Sequence, residues 1–133
     1  MIRRKAIDEV GLLDESFFIY GEDVDWCRRF HKGGWDVVFC PDAEVIHIGG
    51  ASSGNAPTKF YIEMQRADLY YWKKHHGKVG QISYMILIFL RHTLRMFSGV
   101  IQLVVPSQRK IASYKLRRNL SCLGWLIRGC QER

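Results

Sequence analysis

The four cysteines of this 133-residue chain, Cys27, Cys40, Cys122 and Cys130, form no Cys-x-x-Cys pair and show no zinc-ligand spacing. That argues against a metal knot or a secreted disulfide framework and favours reduced thiols in a cytosolic setting. Acidic residues are scarce in the second half. Up to Phe60 there are seven Lys/Arg against ten Asp/Glu, and from Tyr61 onward thirteen against three, so the two parts are expected to face different partners. No apolar run reaches the ~20 residues of a spanning helix, because Arg91, His92 and Arg95 interrupt the stretch from Val79 to Val105. Behind Met-Ile-Arg-Arg-Lys there is no apolar h-region, so neither a signal peptide nor a transit segment is expected. Internal repeats and long low-complexity tracts are also lacking.

What is present is the composition of an ordinary globular chain, 47% hydrophobic and 25% charged, with the length of one domain. Arg4 to Val10 reads as a helix stopped by Gly11. Glu22 to Lys32 reads as a second, opened by Glu22, Asp23 and Asp25, carrying Arg28, Arg29 and Lys32 toward its end, and closed by Gly33-Gly34. Between them, Phe17, Phe18 and Tyr20 suit a buried irregular link. Trp35 to Cys40 and Ala43 to Ile48 read as strands around a Pro41-Asp42 turn. The small, polar Gly49 to Pro57 stretch reads as a mobile loop and a boundary. Lys59 to His76 reads as a helix ending before Gly77, and the apolar stretch after it as a helix lying in a membrane interface. The tail after Pro106 reads as an amphipathic helix for an anionic surface.

The run Phe17-Phe18-Ile19-Tyr20-Gly21-Glu22-Asp23-Val24-Asp25 leads through Arg28-Arg29 and Gly34-Trp35 to Pro41, Ala43, Val45, His47 and Gly49-Gly50. This order resembles the C-terminal half of the catalytic domain in family-two glycosyltransferases of GT-A fold, especially the rhamnosyltransferase-like members. The likeness is ungapped from Ile2 to about Ser53, and Lys73-Lys74-His75-His76-Gly77 is similar to the usual tail of these enzymes. It implies an α/β fold: the acceptor-side part of a GT-A domain over residues 1–57, then a basic amphipathic helical tail over 58–133. It also implies that the nucleotide-binding βαβ half and its Asp-x-Asp metal motif precede this chain. Asp23-Val24-Asp25 has the letters of that motif, but the resemblance assigns it to the acceptor-side helix.

Sugar transfer with inversion needs a base to take the acceptor hydroxyl's proton, and a partly shielded carboxylate at a helix start suits that task. Adjacent helical residues point about 100° apart, so Glu22 and Asp23 cannot share one cleft. By their positions alone all three acids could simply complement the helix dipole. The resemblance favours Asp23 as base, with Glu22 orienting the acceptor. It places His47 near the diphosphate, where it could bind a divalent cation (Mg or Mn) or a phosphate oxygen, although a lone strand histidine can equally be a hydrogen-bonded core residue. Gly49, Gly50 and Ser52 would belong to a lid over bound donor, or to a plain linker. Trp26 could stack on a sugar, Arg28 could meet acceptor phosphates, and Trp35 is read as core.

The partners so implied are a nucleotide-sugar donor, a lipid-linked saccharide acceptor, the inner leaflet of the cytoplasmic membrane and a nucleotide-binding chain if that half is separate. The expected location is cytoplasmic, peripheral to the membrane. The alternative is a non-catalytic membrane- or partner-docking remnant that has lost the donor-binding half. Nucleic acid is not an expected partner, since the bases are interleaved with apolar runs and no nucleic-acid-binding pattern is present.

Overall fold

A computed structural model describes residues 1–47 and 56–130. The helices are α1 (Arg4–Val10), α2 (Glu22–Lys32), α3 (Pro57–Gln102) and α4 (Arg109–Ile127), with a 3-10 turn over Pro106–Gln108 before α4. The chain divides into two compact units, Met1–Ala67 and Asp68–Arg133.

The first unit grows from two capped helices. Gly11 ends α1 with a positive φ of 86° while its amide donates to the Ile7 carbonyl at 2.8 Å. The end of α2 is a Schellman arrangement: Gly34 takes φ 80°, its amide reaches the His31 carbonyl at 3.1 Å, and the Trp35 amide reaches the Phe30 carbonyl at 2.9 Å. Both endings fall where the glycines predict. Ala6, Phe17, Phe30 and Ala67 are the buried apolar residues among those described in this unit, and Trp35 joins α2 to α1 through its indole N–H, which donates to Glu9 Oε2 at 2.9 Å.

The α/β expectation is overturned. Among the described residues there is no strand, and Trp35 to Cys40 and Ala43 to His47 run as irregular chain around a turn at Pro41-Asp42. The local pattern there suits a strand, but a strand exists only through ladder hydrogen bonds to a neighbour, and none pairs with these segments. Their side chains are accordingly uncovered, with Phe39 90% and Ile46 93% exposed.

The second unit is helical. Gly77 has the non-helical angles φ 68° and ψ −165°, so α3 breaks there. In an unbroken helix, residues 68 and 84 would stand about 24 Å apart. Instead the Tyr84 hydroxyl donates to Asp68 Oδ2 at 2.5 Å and its ring stacks on Trp72 at 5.8 Å, which shows that the chain changes direction at Gly77. Residues 78–102 then pack on α4. Gly99 permits the approach, since a Cβ there would stand 2.9 Å from Leu116 Cδ2. Ile88, Ala112, Cys122, Trp125 and Leu126 fill the unit's interior.

Within this interior His92 and Asn119 are fully buried as a pair 2.8 Å apart. Asn119 donates its Nδ2 to the Lys115 carbonyl at 2.8 Å, so its Oδ1 faces His92 and the imidazole must carry its hydrogen on Nδ1. Burial lowers the pKa of His92 below its usual 6.5; the bond to Asn119 opposes this, while Arg91, Arg95 and Arg118 reinforce it. The folded protein therefore holds a neutral imidazole that the unfolded chain would protonate. Stability contributed this way is complete above about pH 6.5 and is lost as pH falls below it. The midpoint of thermal unfolding is expected to fall between pH 7 and 5, and His92→Gln to show a shallower decline over the same range. Equal slopes would contradict this assignment.

Candidate functional site

The first turn of α2 is built on an unusual entry. Tyr20 at φ 67° and Gly21 at φ 86° are consecutive left-handed residues. For a side chain as large as tyrosine that conformation costs about 1–2 kcal/mol. Gly21 sits close to Phe17, a built Cβ lying 3.3 Å from its ring, so the turn into the helix is tight. Gly21 offers no side-chain cap, and the three acids of the first turn complement the exposed amides instead.

Those acids part company in the structure. Asp25 is fully buried, and its Oδ2 accepts from Arg29 Nε at 2.8 Å. Arg29 continues to the carbonyls of Val10 and Leu12 at 2.9 and 2.6 Å. Trp26 donates its indole N–H to the intervening Gly11 carbonyl at 2.9 Å. Three successive carbonyls at the end of α1 are thus bound by one face of α2. Two of them are also extra acceptors that a helix end leaves open.

Asp23 is exposed. One of its oxygens accepts from the Val24 amide at 2.8 Å, and the other has no hydrogen-bond partner among the described residues. Glu22 is half-buried, with Oε2 shut away from solvent and unpartnered among the described residues. The two carboxylates therefore present themselves differently, Asp23 outward and Glu22 toward the packed side, as a 100° step between neighbours requires. Chemically, Asp23 is an accessible proton acceptor on a braced helix, and Glu22 is a carboxylate whose inner oxygen receives no donor among the described residues.

The other predicted residues do not gather here. Trp26 is half-buried with its ring 5.0 Å from Phe30 and its N–H committed to backbone, and Arg28 is half-buried one position before the Arg29 brace. His47 is exposed on the irregular segment that follows Pro41-Asp42. Among the described residues no three of His, Cys, Asp and Glu come together as a cation would require, so the described residues by themselves do not make up a complete metal site. Gly49, Gly50 and Ser52, with the lid expected from them, lie outside the described residues.

Sequence reasoning missed Asp25 and Arg29. Their signal was the i, i+4 spacing of acid and base, flanked by Trp26 and Phe30 on the same side of the helix.

The profile of the family described as Glycosyl transferase family group 2 matches residues 1–128. The chain belongs to that family. Among the curated relatives of this group 2 chain is an N-acetylglucosaminyl-diphospho-decaprenol L-rhamnosyltransferase of Mycobacterium tuberculosis, 36% identical over 77 residues, or 58% of this chain and 25% of the relative. A dTDP-rhamnosyl transferase RfbF of Shigella flexneri is 24% identical over 132 residues, covering 92% of this chain and 42% of the relative. A low-salt glycan biosynthesis hexosyltransferase Agl10 of Haloferax volcanii is 32% identical over 47 residues, 35% of this chain and 15% of the relative. The chain thus spans less than half the length of each of these relatives. No solved structure gives a significant match.

Proposed function

We propose that this chain is the acceptor-side, base-bearing part of an inverting glycosyltransferase that moves a sugar such as rhamnose from a nucleotide-sugar donor to a lipid-linked saccharide in cell-envelope polysaccharide synthesis. The observation that carries the proposal is Asp23, an exposed carboxylate in the first turn of a helix whose adjoining face is fastened to three carbonyls through Trp26 and Arg29. The mycobacterial relative, an N-acetylglucosaminyl-diphospho-decaprenol L-rhamnosyltransferase, supports the sugar and the lipid-linked acceptor, and the Shigella relative, a dTDP-rhamnosyl transferase, supports the sugar and its nucleotide.

In this mechanism Asp23 takes the proton of the acceptor hydroxyl as its oxygen bonds to the anomeric carbon. The bond from that carbon to the diphosphate breaks on the opposite face, and the nucleoside diphosphate leaves with the electron pair. Glu22 orients the acceptor, and Trp26 and Arg28 flank it. The donor, and any Mg or Mn ion bound with it, belong in this proposal to a nucleotide-binding part, on the same polypeptide or a separate chain. His47 supplies one ligand at most, and no step is routed through the cation. The protein works in the cytoplasm, peripheral to the cytoplasmic membrane.

The test is transfer of radiolabel from dTDP-rhamnose to polyprenyl-diphosphate N-acetylglucosamine by the protein isolated from its own cells. Label in the lipid phase is expected. Lipid binding with no transfer to this or any other lipid-linked saccharide would make a docking role the better account.

A further inference from the structure

Residues 78–102 carry an apolar arc that none of the described residues covers. At 100° per residue Val79, Ile86, Leu90, Leu94, Phe97 and Ile101 fall within about 80° of one another. All six are exposed, Val79 to 77% and Ile101 to 71%. The opposite side of the same helix holds the buried Ile88, His92 and Gly99. Two hydroxyls on this helix are already satisfied by its own backbone: Thr93 Oγ1 donates to the Phe89 carbonyl at 2.9 Å and Ser98 Oγ to the Arg95 carbonyl at 3.0 Å. Those two flank the arc and bring no free donor to hydrocarbon, and within the arc Ser83 is the polar position, one turn from its start.

The charge around the arc is of one sign. From Leu69 to Cys130 the sequence has eleven Lys/Arg and no Asp or Glu. Arg91 and Arg95 are exposed and lie roughly 100–140° around the helix from the middle of the arc, and α4 adds the exposed Lys110, Lys115 and Arg117. A second copy of the chain would set this charge against itself, and an acidic protein would answer the bases but not a largely apolar arc. An anionic bilayer answers both.

We infer that residues 78–102 lie in the plane of an anionic phospholipid surface, with the Val79-to-Ile101 arc among the acyl chains and the surrounding bases at head-group level. The inference deepens the lipid-linked acceptor proposed above, but it rests on a different surface. Although α3 is long and apolar enough to span a membrane, Gly77 breaks it, and a crossing by 78–102 would put Arg91, His92 and Arg95 near the bilayer centre. In the plane of the surface, the two arginines reach the head groups along their own alkyl stems.

Flotation of the full chain with vesicles tests this without donor or acceptor, so its failure leaves the transfer proposal standing. With 3:1 phosphatidylcholine:phosphatidylglycerol vesicles at low salt the chain is expected to float. Binding should drop at least tenfold on pure phosphatidylcholine, in 0.5 M NaCl, or in the Leu94→Glu/Phe97→Glu variant with unchanged helical circular dichroism. In Phe97→Trp, indole fluorescence is expected to be quenched by lipids brominated on their acyl chains. Undiminished flotation of the double glutamate variant overturns the inference. So does resistance to carbonate extraction, which marks a spanning helix, and so does a vesicle-free dimer that the glutamates dissociate, which marks the arc as a contact between copies.

Discussion

Asp23→Asn is expected to lower turnover of the complete transferase by about 10²–10⁴-fold, the span usual for loss of a general base, without lowering stability. Asparagine keeps an oxygen to accept from the Val24 amide, and the side chain is exposed, so no packing is lost. What disappears is the ability to take a proton. Single-turnover measurements with labelled donor separate that loss from weaker acceptor binding. Near-normal turnover in Asp23→Asn combined with a collapse in Glu22→Gln would move the role to Glu22, whose buried Oε2 has no partner among the described residues.

Where the sequence writes its own stop signals, it was readable. Gly11, the Gly33-Gly34 pair and Gly77 each end a helix for the stated reason that their backbone leaves the helical region or closes a cap, and the acids of Glu22, Asp23 and Asp25 mark the start of α2 as expected. Failure came where the outcome depends on a distant partner. Val37, Val38, Phe39, Val45 and Ile46 have the side chains of strands, but pairing is a property of two segments, and none of the described residues pairs with them.

The same reason hid the division of labour among the acids. In the sequence Asp23 and Asp25 look equivalent, and both suit a helix start. Only the docking of α2 on the end of α1 decides that Asp25 turns inward to Arg29 while Asp23 stays in solvent. His92 was likewise noticed only as an interruption of an apolar stretch. Its meaning came from Asn119, which lies 27 residues further along on another helix.

The largest stability effect is expected from Arg29→Ala. The guanidinium pairs with a fully buried carboxylate and binds two carbonyls, with its own side chain 20% exposed. Deleting one member of such a pair leaves buried charge without its counterpart and typically costs about 3–5 kcal/mol. Folded domains have only about 5–15 kcal/mol in total, so much of the first unit's stability would go. Arg29→Lys keeps the charge but cannot reach three acceptors with a fixed planar fork, and should recover only part of the loss. The control is Arg4→Ala, which removes an ion pair of nearly the same length, 3.0 Å, whose side chains are 87% and 58% exposed. Solvent screens that pair, and its loss is expected to cost at most about 0.5 kcal/mol. Urea unfolding midpoints for the three variants decide the matter. If Arg29→Ala and Arg4→Ala shift them equally, then α2 is not held by its arginine, and the brace behind Asp23 must be sought in Trp26 and Phe30 alone.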